Sequence, residues 1–152
     1  MPTTVTVAEL AALNPQELGV SSWLVIDQAR IDTFADATDD HQWLHVDEGR
    51  AKDGPYGRTI AHGYLTMSLI PRLLREVLEL SDRTRGVNYG IETVRFTGPV
   101  GVGSAIRLRA SLSSAVWRPD GGLKYRISCV VEVDGSDRPA VVAEVVYLAY
   151  KD

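Results

Sequence analysis

Apolar residues in this chain follow two periods, and the change falls near residue 87. Beyond it the period is two. Val87, Tyr89 and Ile91 alternate, slip, and resume at Val94 and Phe96; a slip of that kind predicts a bulge or bend in a strand. Ile106, Leu108, Ala110 and Leu112 face one way, with Arg107, Arg109, Ser111 and Ser113 opposite, as in a half-buried antiparallel strand. The run Arg118-Pro119-Asp120-Gly121-Gly122 is a hairpin signal. Tyr125, Ile127, Cys129, Val131 and Val133 form the returning strand, and 141–150 closes the sheet.

Before residue 87 the spacing is mostly helical. Thr6 and Glu9 have capping-box spacing ahead of a short helix through Leu13, stopped by Asn14-Pro15. The segment 19–26 (GVSSWLVI) predicts a first strand. Asp27 caps a second helix ending near Thr38, with Ile31, Phe34 and Ala35 inward; Asp47 caps a short turn through Lys52. DGPYG at 53–57 forces a loop. A long helix is then expected from Ala61 to Leu80. Its first half is apolar nearly all round (Leu65, Met67, Leu69, Ile70, Leu73, Leu74), the mark of burial. Pro71 should kink it. Arg72, Arg75, Glu76 and Glu79 form a polar stripe beyond.

The elements predict one α+β domain over residues 1–152, in which a curved antiparallel sheet covers an apolar helix. Composition supports a packed core, with 45% hydrophobic residues. The net charge of −4, with both signs interleaved, argues against a nucleic-acid partner. No apolar run is long enough for a membrane span, and no secretory signal is visible at the start. Cys129 is the only cysteine and reads as a buried core thiol. A reducing, cytoplasmic setting is the matching expectation.

The candidate chemistry is concentrated in one stretch. TDDHQWLHVD places Asp40 and His45 five residues apart, and IAHGYLTMSLIP brings Gly63 to the first turn of the long helix. A carboxylate and an imidazole sharing one water can move protons near neutral pH. An unpaired amide at a helix start, that of Gly63, can bind a developing oxyanion, and glycine would permit close approach of a substrate. The pair Asp40–His45 equally fits a loop-ordering contact without chemistry. His41 reads as exposed, His62 as capping or packing, and Trp43 as packing on the loop or lining a substrate tunnel. Thr66 and Ser68 read as back-bonding to their helix. Arg72, Arg75, Arg83 and Arg85 form a solvated face or meet ligand phosphates. No glycine-rich phosphate loop or metal-ligand spacing is present, so no cofactor and no metal is expected.

FADATDDHQWLHVDEGRA followed by TIAHGYLTMSLIP, with the later YGIETVRFTGPVGVGSAIR, closely resembles the MaoC-like dehydratases, the (R)-specific enoyl-CoA hydratases or hydratase 2. The likeness spans about Ser21 to Arg109. It implies a hot-dog fold, with the helix Ala61–Leu80 wrapped by the sheet, and usually a homodimer with sheets joined edge to edge. It places the family's catalytic residues on Asp40 and His45, and its carbonyl-binding glycine amide on Gly63. The implied reaction is reversible hydration of a trans-2-enoyl thioester to the (R)-3-hydroxyacyl form, in fatty-acid metabolism. The substrate would be an acyl-CoA or acyl carrier protein thioester, with coenzyme A entering only as part of the substrate. Where the family usually has Asn-Pro, this chain has Gln42-Trp43. Three alternatives stand beside this: a hot-dog thioesterase, a non-catalytic subunit of a heterodimeric dehydratase, and a thioester-binding module.

Overall fold

The computed structural model describes residues 1–152. Its elements run β1 (Thr3–Val5), α1 (Val7–Ala12), β2 (Gln16–Val20), β3 (Leu24–Val25), α2 (Gln28–Thr38), α3 (Trp43–Val46), α4 (Glu48–Lys52), α5 (Gly63–Ser68), α6 (Ile70–Leu74), β4 (Leu78–Leu80), β5 (Arg85–Phe96), β6 (Ala105–Trp117), β7 (Leu123–Val133) and β8 (Val141–Tyr150). A six-stranded sheet has the order β2-β6-β7-β8-β5, with β3 also on β6. All its pairings are antiparallel.

Strict alternation on β6 and β7 puts Ile106, Leu108, Ala110, Leu112, Tyr125, Ile127, Cys129 and Val131 on one buried face. The opposite face carries charge: Arg107 and Arg109 both bond Glu132, and Arg109 also reaches Glu17. Against the inner face lie Leu65, Leu69, Ile70, Leu73 and Leu74 of α5 and α6, and all belong to one cluster of 30 buried residues. Helix packed into the concave side of an antiparallel sheet is the hot-dog arrangement, α+β as the patterning predicts.

The helix is shorter than its apolar spacing suggests. It begins at Gly63, breaks at Leu69 and ends at Leu74, not Leu80. Pro71 has no N–H and occupies the first turn of α6, the position where a missing donor costs nothing. The Glu76 and Val77 amides then bond the Leu73 and Leu74 carbonyls, i→i−3 contacts that tighten and end a helix. Leu78 and Leu80 are buried on either side of exposed Glu79. That alternation belongs to β4, which pairs in parallel with β1. Of the polar stripe, Arg72 and Glu76 remain on one face as a 3.2 Å ion pair.

The strand expected over 19–26 is two strands, β2 and β3, both on β6. Gly19 adopts φ +140° beside a register shift, and the Ser21 hydroxyl accepts from the Leu108 amide, so Ser21–Trp23 bulges without leaving the sheet. The slip foreseen in β5 is present as two register shifts against β8, at Asn88/Gly90 and Ile91/Thr93. Of its apolar side chains only Val94 packs against the core. β5 is an edge strand, and Val87, Tyr89, Ile91 and Phe96 are 37–54% exposed.

Candidate active site

The helix α2 starts where the Asp27 carboxylate accepts from the Arg30 amide, and ends with Asp39 in the left-handed region, φ 57°. That residue turns the chain and delivers Asp40 into solvent. A single turn, α3, then carries His45 inward until it is 8% exposed. One bond fixes the imidazole and a second fixes its backbone. Its Nδ1–H donates to the Ile60 carbonyl at 2.7 Å, because a carbonyl only accepts; the Nε2 lone pair is left for chemistry. The Gln28 amide donates to the His45 carbonyl at 2.7 Å. The Gln28 side-chain carbonyl accepts from the Thr59 hydroxyl, so one side chain ties α2, α3 and the segment before α5 together.

Asp40, His45 and His62 converge. A carboxylate oxygen of Asp40 and one ring nitrogen from each histidine lie within 4.8 Å of one another. Two hydrogen bonds of about 2.8 Å meeting at one water span up to about 5.6 Å, so a single water can bridge the carboxylate and an imidazole. The His62 ring stacks on His45 with centroids 3.8 Å apart and planes 21° apart, and its centroid lies 4.9 Å from that of Phe34, with the planes tilted by 57°. His62 Nε2 lies 2.9 Å from the backbone carbonyl of Asp40.

Burial is the largest influence on His45 and pushes its pKa below the ordinary imidazole value. The Ile60 bond opposes this, the His62 ring lowers it further, and the Asp40 carboxylate raises it. The result favours the neutral base at neutral pH. The three donor groups are of the kind that hold transition metals, but the stacked rings do not suit one. Imidazole lone pairs lie in the ring planes, and two stacked rings with centroids 3.8 Å apart and planes 21° apart do not aim their lone pairs at one ion about 2.0–2.1 Å from each nitrogen.

Gly63 is the first residue of α5, so its amide has no partner within the helix. It borders a cavity of about 320 Å³ together with Tyr56, Ala61, Thr66, Phe96 and Val141. Asp40 and His45 do not line that cavity, and His62, stacked on His45, directly precedes Gly63 in the chain. The need for glycine is visible within the chain itself. A Cβ there would stand 2.9 Å from the Phe96 ring, so Phe96 requires the open space.

Among the other candidates, His41 bonds Asp36 at 2.8 Å on the surface, and that contact raises its pKa. Trp43 packs on the loop, against Gly54 and under Arg50, 4.3 Å from its ring. Thr66 is buried and borders the Gly63 cavity. Gln28 gave no signal in the sequence, since a polar residue after a helix cap reads as a surface position.

The fold and this arrangement define the class: a hot-dog protein with a carboxylate, two histidines and a free helix-start amide at the head of the central helix. A model of the MaoC like domain family matches residues 10–121, and the chain belongs to that family. It is 45% identical over 144 residues, 95% of each chain, to 3-hydroxyacyl-thioester dehydratase Z of Mycobacterium tuberculosis. It is 41% identical over 140 residues, 91% of this chain and 87% of the other, to nodulation protein N of Rhizobium leguminosarum bv. viciae. Among solved structures, the (R)-hydratase from A. caviae involved in PHA biosynthesis superposes with a TM-score of 0.72 at 23% identity, over 90% of this chain and 96% of that one.

Proposed function

We propose that this protein is a hydro-lyase that reversibly adds water to a trans-2-enoyl thioester to give the (R)-3-hydroxyacyl thioester. The observation that carries the reading is the Asp40 carboxylate within 4.8 Å of His45, whose Nδ1–H is committed to the Ile60 carbonyl. The 45% identity to a protein named 3-hydroxyacyl-thioester dehydratase supports it.

In the hydration direction one water sits between Asp40 and His45. One of the two takes a proton from that water as the water oxygen bonds to C3, the other holds the water by accepting its second hydrogen, and the proton taken is then passed to C2, which returns both side chains to their starting state. The electron pair of the C2–C3 double bond passes through the thioester carbonyl in the transition state, and the Gly63 amide donates to that oxygen. The product gains one hydrogen at C2 and one hydroxyl at C3, both from the one water, and the reverse reaction retraces the same transfers. No group beyond these side chains is needed; coenzyme A or acyl carrier protein is part of the substrate.

The thioesterase alternative calls for a carboxylate on the central helix. Glu76 lies beyond α6 and is held by Ser22 and Arg72, and Glu79 is on β4, so neither has a free approach to Gly63. A homodimer joined along β5 belongs to the same proposal. An edge strand with Val87, Tyr89, Ile91 and Phe96 uncovered is a surface that a second copy would cover. No helix is long and apolar enough to cross a membrane. A cytoplasmic setting is part of the proposal and agrees with Cys129, a buried unpaired thiol whose pKa burial pushes up to about 12.

The test follows crotonyl-CoA by enoyl absorbance and free thiol together. Loss of absorbance without thiol supports hydration. Thiol release means thioester hydrolysis, and no change in either leaves only a binding or partner role. Light scattering of the wild type and of Ile91→Lys tests the dimer, which the lysine should dissociate.

A further inference from the structure

His62 takes no part in the proton transfers proposed above, yet it is 3% exposed beside them. The Asp40 carbonyl can only accept, so His62 Nε2 carries the hydrogen between them. Nδ1 is buried with no partner. A hydrogen there would have no acceptor, so the ring's hydrogen stays on Nε2. Leaving a buried polar atom unpaired is unfavourable. An apolar ring would fill the space between Phe34 and His45 without that cost. Packing therefore does not explain the nitrogen; the donated bond does. Asp40 needs such a bond, because residues 36–42 are all exposed.

We propose that His62 is a positioning residue for the Asp40–His45 pair: its Nε2–H holds the Asp40 peptide while its ring face holds the His45 imidazole, so one side chain sets their separation. The groups that act on the His45 charge are His62 and Asp40, from the α5 start and the α2–α3 turn. The catalytic consequence rests on the hydratase reading; the placement of His45 does not.

Two variants separate the two contacts. His62→Phe keeps a ring on His45 and removes the donor. His62→Gln keeps an amide donor and removes the ring. With crotonyl-CoA, His62→Phe should lower kcat by about tenfold to a hundredfold, the scale of an ångström-level displacement, with KM within about twofold. His62→Gln should recover part of that loss. The His45 titration midpoint, followed by NMR of its ring protons, should rise in His62→Gln, where a lowering neighbour and its cover are gone. Thermal melts confirm folding; His62→Leu, which also lacks the donor, replaces His62→Phe if that does not fold, and His62→Asn replaces His62→Gln. Wild-type kcat in His62→Phe, or an unmoved His45 midpoint in His62→Gln, overturns the proposal. An inactive wild type instead defeats the hydratase reading, while the NMR titration still decides whether His62 positions His45.

Discussion

The β6–β7–β8 sheet and the stretch from Asp40 to Gly63 are built on opposite principles. In β7 and most of β6 every second side chain is buried, in β8 the consecutive run Val145 to Ala149 is, and each pairing repeats along ten or so residues. No single contact is decisive, and the charged outer face sits in water. The 40–63 stretch has only the short helices α3 and α4 as regular structure. Asp40, His45 and His62 are placed by single bonds, to Ile60, Gln28 and the Asp40 carbonyl, between segments far apart in the chain. Redundant burial gives a fold that tolerates change; isolated bonds give a site that does not.

The sharpest way to test that contrast is to change the site without the core. Asp40→Asn and His45→Ala should each cut hydration of crotonyl-CoA by about a hundredfold to ten-thousandfold, with thermal melting nearly unmoved for exposed Asp40. Gln28→Leu should come next, at about tenfold to a hundredfold in kcat. It removes the donor to the His45 carbonyl and the acceptor of the Thr59 hydroxyl while touching neither reacting group. Steady-state kinetics at one pH distinguishes the two levels.

A core change should do the reverse. Leu73 is fully buried, and Leu73→Ala should lose about 2–5 kcal/mol in a denaturant melt, with the rate per folded molecule preserved. On the outer face, Glu132→Gln breaks two ion pairs whose side chains are 25–40% exposed. It should change stability by about 1 kcal/mol or less.

Acid supplies a smaller perturbation that acts on both properties. The folded-state pKa of His45 is lowered, so its acid limb in kcat/KM should fall below the free imidazole value of about 6.5. The unfolded chain binds the proton more readily. His45 therefore contributes stability that is full above the unfolded pKa and is lost as pH falls through that value towards the lowered folded one. A pH–rate profile and melts across the same range check the two together, and His45→Gln should flatten this part of the stability curve.

The two regions also differed in how far they could be read. The strands β6, β7 and β8 and the caps at Thr6, Asp27 and Asp47 were legible, because a period of two and a capping carboxylate are local signals. The end of the helix was not. Leu78 and Leu80 continue a helical apolar spacing as well as they alternate in a strand, and pairing with β1 decided between them. Nor could the edge position of β5 be read, since Val87, Tyr89 and Ile91 alternate as a buried strand would.

At the site, the resemblance singled out Asp40, His45 and Gly63. The sequence by itself determined the inventory: a carboxylate and an imidazole in one short loop, and a glycine at a helix start. Only the tertiary structure decided their arrangement. The Ile60 carbonyl selected which His45 nitrogen is free, His62 joined Asp40 to the helix start, and Phe96 claimed the space over Gly63. Local patterns depend on the chain's own period; these contacts join residues 15 to more than 30 positions apart, where no period reaches.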